Sequence, residues 1–375
     1  MGLKRKGNGA GRMGSGQGTS AGGRTAKWDN IRGILMLLVV LAHIYNHYTK
    51  FSPAARSLFL FVYTFHMPLF LFLSGMFGRK AVHRRDWGKI FSFFILYWVI
   101  KLITSGTNFV LFRRWNFRPL GDNGTCWYAW AVFVFMLLCI VLQLLTDKFS
   151  PEKRPAAKAA VLLLSCALAC VSGRYAQIGD FLYAARVINF FPFFYLGYCT
   201  DREKLLKASD KGRVRIISAV LLAFFAWVCY AFGDRLYVFR PLLAGRYPYA
   251  ALGEERAGYG WMFRLGVYAL TVVISFALIC VVPKRSFAFL TRRVGQRTLS
   301  VYTFHYALIS LIIEKTRISQ YLKVIWPEHW MLLLIPVTLL IVWMSSFQFL
   351  NTFLQWIMFP GRWFSGKKRR NQLSE

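Results

Sequence analysis

Acidic residues are scarce: 15 Asp and Glu stand against 48 Lys and Arg in 375 residues. Few of those acids fall inside apolar runs, so the carboxylate relays that couple ions to transport have little to be built from. Cysteines with metal-ligand spacing are also missing. The seven present fall mostly in apolar runs, and only Cys166 and Cys170 share an i,i+4 spacing. Core packing suits them better than metal binding or disulfide chemistry. No Gly-x-Ser-x-Gly elbow, His-Glu-x-x-His pair, phosphate-cradling Gly-Lys-Ser/Thr loop or dinucleotide fingerprint occurs, which leaves covalent serine chemistry and metal hydrolysis unsupported. No fixed-period repeat is visible.

What is abundant is apolar. The chain is 56% hydrophobic and 18% aromatic, and only 17% is charged. A soluble protein could not hide that much apolar surface, so the long apolar runs are read as membrane spans. The formal charge of +33 is spread through short clusters between those runs. That is the pattern of basic loops beside membrane helices, and no groove-reading module accompanies it, so no nucleic acid partner is expected.

The expected fold is all-α, a polytopic integral membrane protein of about ten transmembrane helices. The runs lie near 31–49, 56–78, 87–106, 126–146, 157–173, 179–199, 213–233, 261–282, 297–315 and 331–357. Residues 1–27, rich in Gly, Ser, Lys and Arg, read as a disordered basic tail. Residues 28–358 form the membrane domain and 359–375 a second basic tail. Basic residues crowd alternate loops, including Arg79, Lys80, Arg84, Arg85 and Lys89 after the second run and Arg202 to Arg215 after the sixth. They are sparse in the loops opposite, which places both termini on the cytoplasmic side. The longer loops facing outward, about 107–125, 234–260 and 316–330, mix aromatic and polar residues such as Trp115, Arg240 and Arg246. Such loops suit sugar contacts and interfacial anchoring alike.

The first run carries the sharpest signal. It reads Asp29-Asn-Ile-Arg32-Gly33, continues apolar from Ile34 to Ala42, and then places His43, Asn46 and His47. Arg32 and His43 are eleven steps of about 100° apart, which returns both to one stripe of a helix with about 16 Å between them along its axis. Asp29 lies three residues before Arg32 and is better placed to orient that cation than to reach His43. A cation at the membrane edge and a titratable ring about half a bilayer deeper could hold a long ligand with a phosphate head.

Other polar residues inside spans also need an explanation. His66 precedes Pro68, which removes one helical hydrogen bond and frees the carbonyl of Thr64, so a kink is expected beside His66. A structural and a catalytic role are equally open there. Arg186 and Asn189, before Phe-Phe-Pro-Phe-Phe-Tyr-Leu-Gly, suit ligand contact or helix-to-helix bonding. His305 closes a run opened by Gly295 and Arg297. Lys101 is expected to snorkel out of its span.

Taken together, Asp29-x-x-Arg32-Gly33 with His43, Phe65-His66-Met67-Pro68 through Ser74-Gly75, Cys126-Trp127-Tyr128, Phe191-Pro192-Phe193 and Gly295 through His305 resemble, in order, the landmarks of the membrane acyltransferase-3 family. Within it the chain is most similar to fucose 4-O-acetylase-like sugar O-acetyltransferases. The resemblance implies a bacterial inner-membrane enzyme with no permanently bound cofactor. It also implies acetyl-CoA, or another acyl-CoA, as cytoplasmic donor and a sugar hydroxyl, free or lipid-linked, as acceptor. It gives Arg32 and His43 the roles of the family's Arg-x10-His pair. The family's Arg-x-x-Arg after the second helix is not kept; here the stretch reads Arg79-Lys80-Ala81-Val82-His83-Arg84-Arg85. Arg79, Arg84 and Arg85 join Arg32 as cations for the donor phosphates. A multispanning transporter or flippase for a polysaccharide precursor is the rival reading, and a non-catalytic sensor the third.

Overall fold

The computed structural model of the chain describes residues 25–121, 124–179 and 181–359. The two expected tails fall almost wholly outside them. Residues Ala26 and Lys27, expected in the first tail, already belong to the first helix.

Fifteen α-helices follow one another among the described residues, and no strand occurs among them. The first half of the chain holds α1 (Ala26–Asn46), α2 (Pro53–His83), α3 (Trp87–Phe112), α4 (Trp127–Thr146), α5 (Arg154–Ser172) and α6 (Ala184–Cys199). The short α7 (Arg202–Ser209) leads to α8 (Gly212–Leu236), after which α9 (Arg240–Ala244) and α10 (Glu254–Ala257) form a loop cluster. Then come α11 (Gly260–Val281), α12 (Thr298–Ile309), α13 (Ile318–Ile325), α14 (Leu334–Ser345) and α15 (Gln348–Met358). Among the described residues seven helices are long and apolar enough to cross a membrane, or eight if Trp330–Ser345 and Gln348–Met358, bent by 53° against each other, count as one span. The chain is an all-α, polytopic membrane protein.

Each of the ten expected runs is helical, yet two fall short of the length a span needs. The sixth begins only at Ala184, because Leu182 and Tyr183 take left-handed backbone (φ 49° and 56°) that a right-handed helix cannot continue. The ninth is 12 residues of α-helix that widen into π-helical turns over Ser310–Lys315. The last run breaks at Ser346 and Phe347, and the carbonyls freed there are bonded. Ser300 Oγ donates to the Ser345 carbonyl at 2.7 Å and Arg297 to that of Ser346 at 2.8 Å. A buried break is tolerable because its backbone groups find partners.

Helix α1 is the core element. Trp28, Ile31, Leu35, Met36, Val39 and Val40 are all buried, so its apolar surface runs around the axis and protein surrounds it. Its foot is tied on several sides. Asn30 donates to the carbonyls of Pro283 and Arg285 at 2.9 and 2.8 Å, and accepts from Thr291. Buried Lys27 reaches Ser209 at 2.9 Å and the Asp210 carboxylate at 3.6 Å. A Cβ on Gly33 or Gly295 would collide with the backbone oxygen of Leu290 or Asp29, so only glycine lets the π-helical segment 288–295 lie so close.

Helix α2 is capped by Ser52, whose hydroxyl accepts from the Ala55 amide at 3.2 Å, with Pro53 at the first helical position. It crosses α6 at two glycines. A Cβ on Gly75 would meet the Phe194 carbonyl, and one on Gly197 the Phe72 carbonyl. This is the close backbone approach that small residues give to membrane helices. The carbonyl of Thr64 that Pro68 frees is taken up by the Thr271 hydroxyl of α11 at 2.7 Å.

Two side chains differ from expectation. His47 lies just past the end of α1, half-exposed, and pairs with Glu314 at 3.6 Å instead of sitting in the span. Lys101 does not snorkel: it is fully buried, and its ammonium donates to the carbonyls of Arg118 and, at 2.8 Å, Gly121. It ties the 113–121 loop to α3. Helices α5 and α8 stay at the rim, exposing Leu163, Leu164, Ile216, Ile217 and Val220 to what must be lipid.

Candidate active site

Arg32 and His43 share one stripe of α1 and open into two different cavities. The Arg32 side chain is held by the Asp29 carboxylate at 3.5 Å, with its guanidinium 4.1 Å over the Phe77 ring. Asp29 itself is buried. The cavity there is about 250 Å³ and is lined also by Lys89, Gln296, Asn351 and Gln355. Ser74 and Tyr128, whose hydroxyls lie 2.6 Å apart, close its inner wall.

His43 opens into a cavity of about 250 Å³ at the opposite end of the bundle, together with His66, Tyr63, Asn46 and Arg186. Between the two lies an apolar neck of about 30 Å³, lined by Met36, Val39, Met67, Phe70, Tyr128, Thr298, Leu299 and Tyr302. Phe70, Tyr128, Thr298 and Leu299 also line the Arg32 cavity, and Met67 also lines the His43 cavity. The neck holds about one water molecule's worth of space.

The imidazoles have defined tautomers. His66 Nδ1 faces the Val62 carbonyl at 2.8 Å, and His305 Nδ1 faces the carbonyls of Val301 and Tyr302 at 3.0 and 2.8 Å. Carbonyls only accept, so both Nδ1 atoms carry the hydrogen and both Nε2 atoms keep a lone pair. His305 is fully buried, and its Nε2 has no hydrogen-bond partner among the described residues. Its ring centroid is 5.4 Å from that of His43. The arrangement can accept a proton at His43 and hold an anion at Arg32 and Lys89.

Of the other residues singled out from the sequence, Arg186 lines the His43 cavity with its guanidinium 5.1 Å from the Trp127 ring centroid. Asn189 turns to the protein instead, donating to the Gly245 carbonyl at 2.9 Å and accepting from Ser172 at 3.4 Å. Arg84 and Arg85 are exposed in the turn between α2 and α3, and Arg79 is half-buried; none of the three lines the Arg32 cavity. Lys89 does, because the Asp86 cap starts α3 (Asp86 Oδ1 accepts from the Lys89 amide at 3.1 Å) and sets Lys89 in its first turn. Arg240 and Arg246, read from the sequence only as loop residues, line the His43 cavity. Among the described residues, no group of three or more His, Cys, Asp or Glu could hold a metal ion.

The model of a family described as an acyltransferase domain matches residues 25–347. Nodulation protein NolL of Mesorhizobium japonicum is 24% identical over 319 residues, covering 77% of this chain and 78% of that protein. No solved structure matches the chain.

Proposed function

Since the chain belongs to the acyltransferase-domain family that its residues 25–347 match, we propose that it is an integral membrane O-acyltransferase that moves an acyl group, by preference acetyl, from cytoplasmic acyl-CoA to a hydroxyl of a cell-surface glycan or its lipid-linked precursor. The single observation that carries this reading is the pair of cavities at opposite ends of α1, one holding Arg32 and the other His43, with an apolar neck between them.

The donor's phosphates rest on Arg32, which Asp29 orients, and on Lys89, where guanidinium and ammonium groups meet polyanions. Arg79, Arg84 and Arg85 add positive charge at the entrance. The slender pantetheine arm follows α1 through the neck, whose Met36 and Met67 are flexible enough to give way, and brings the thioester to His43. There His43 takes the proton of the acceptor hydroxyl as the oxygen attacks the thioester carbonyl. The carbon–sulfur bond breaks, and the proton passes to the departing thiolate. General-base catalysis of this kind contributes about 10² to 10⁴ in rate. His66 faces the same cavity and has a lone pair to offer the acceptor. The basic loops, concentrated at the Arg32 end, favour a plasma-membrane orientation with both termini in the cytoplasm.

A glycan transporter is the weaker reading, because a neck that holds about one water is far too small for a sugar ring. Radiolabelled acetyl-CoA supplied to inside-out vesicles separates the two. Transfer predicts label on lipid or glycan, lost in the His43→Ala and Arg32→Ala proteins; full activity in a folded His43→Ala protein sinks the mechanism.

A further inference from the structure

Only three hydroxyl-bearing residues, Tyr128, Thr298 and Tyr302, stand among the described residues that line the apolar neck. The hydrogen of Tyr302 is spent on the Thr125 carbonyl. Tyr128 and Thr298 also line the Arg32 cavity, so they sit where that cavity narrows into the neck.

The hydroxyl of Tyr128 has a defined direction. Ser74 Oγ lies 2.8 Å from the Phe70 carbonyl and 2.6 Å from Tyr128 Oη. A carbonyl only accepts, so the one hydrogen of Ser74 goes to Phe70, and Tyr128 must donate to Ser74. With its hydrogen spent, Tyr128 Oη offers a ligand nothing but a lone pair. The pair is held in place from both sides. Gly75, next to Ser74, packs α2 closely against the Phe194 carbonyl of α6. The Tyr128 ring meets the rings of Phe70 and Tyr302 edge-on, at 6.2 and 5.2 Å between centroids. Thr298, the first residue of α12, brings a hydroxyl that can donate.

An alkyl chain passing here would need neither group. A polar group entering an apolar passage is costly unless its hydrogen bonds are met. An acceptor and a donor supplied by different helices match the N–H and C=O of a secondary amide, the group that recurs along a pantetheine arm.

We infer that the mouth of the neck is an amide-binding subsite, in which Tyr128 accepts the N–H of one amide of the donor's arm and Thr298 donates to its carbonyl. The inference rests on the acyl-CoA reading and adds to it the residues that grip the arm between charged head and thioester.

The test is titration calorimetry on the full chain in nanodiscs of phosphatidylcholine. The probes are coenzyme A, two analogues in which one or the other arm amide is replaced by an ester, and adenosine 3′,5′-bisphosphate. Replacing N–H by oxygen removes the hydrogen and sets a second acceptor against Tyr128, so one analogue should bind at least ~10-fold more weakly than coenzyme A. Tyr128→Phe should reduce that preference to within about threefold. Thr298→Val should weaken coenzyme A yet keep most of the preference, because the partner of the N–H remains. Ser74→Ala serves as the second variant if Tyr128→Phe fails to fold. It frees the phenol hydrogen to turn toward an ester oxygen, so the preference should shrink there too. The bisphosphate, which lacks the arm, should bind wild type and variants alike and so reports an intact head site. Equal affinity of the wild type for coenzyme A and both analogues overturns the inference, as does a Tyr128→Phe protein that keeps the full preference. A wild-type protein that binds neither coenzyme A nor the bisphosphate overturns the acyl-CoA reading itself.

Discussion

The rings of His43 and His305 lie 5.4 Å apart and tilted by 41°, one on α1 and the other on α12. His305 spends its Nδ1 hydrogen on its own helix, so a lone pair remains on the ring nearest the proposed base. When His43 takes a proton, that lone pair can stabilise the new charge or hold the ring in one orientation.

Replacing His305 by Phe keeps the bulk and removes the lone pair. Acetyl transfer should fall by about 10- to 100-fold, or ~1.4–2.7 kcal/mol of transition-state stabilisation. KM for acetyl-CoA should stay within about threefold, because the donor head lies at the other end of α1. The acid limb of the pH–rate profile should move as well, which a purely structural substitution would not cause. Transfer within twofold of wild type, with an unmoved profile, removes His305 from the mechanism.

Much of this arrangement is visible in the residues, and the part that is not has a common cause. The stripe joining Arg32 to His43 follows from helical geometry alone, because nothing in α1 interrupts it. Pro68 announces a free carbonyl at Thr64 by local chemistry. Its partner Thr271 is 207 residues away, and no local rule reaches that far. Gly75 and Gly197 stand in similar short motifs, but only the fold brings each against the other's helix. Arg240 and Arg246 carry no spacing signal; a loop between α8 and α11 lays them over the cavity. Lys89 had a legible cap in Asp86 yet was hidden beside four other basic residues, of which Arg84 and Arg85 turn to solvent. Lys101 misleads because its stem is long enough to snorkel, whereas two loop carbonyls hold its ammonium inside.

Thr271→Val tests the link between the α2 kink and the site. Both Thr64 and Thr271 are buried, so valine leaves the freed carbonyl of Thr64 without its donor. The cost should be about 1–3 kcal/mol of stability, read as a lower melting temperature in detergent. Transfer should also weaken, since His66 stands two residues from that carbonyl. Thr271→Ser should restore both. A valine protein as stable as wild type would mean that the carbonyl is satisfied some other way.

The neck offers the most discriminating substitution. Leu299 lines both the neck and the Arg32 cavity, so Leu299→Trp adds bulk where the arm of the donor must pass. Overpacking of this kind costs about 1–3 kcal/mol in a tight core, so the melting temperature must be measured beside activity. Threading predicts that kcat/KM for acetyl-CoA falls by at least ~10-fold, or about 1.4 kcal/mol. Adenosine 3′,5′-bisphosphate, which has the charged head and no arm, should still bind the same protein with nearly wild-type affinity. The contrast between the two ligands is what separates a blocked passage from a damaged head site. If the substituted protein turns over acetyl-CoA at the normal rate, the thioester reaches the acceptor by another route, and the alignment of Arg32 below His43 has no part in delivering it.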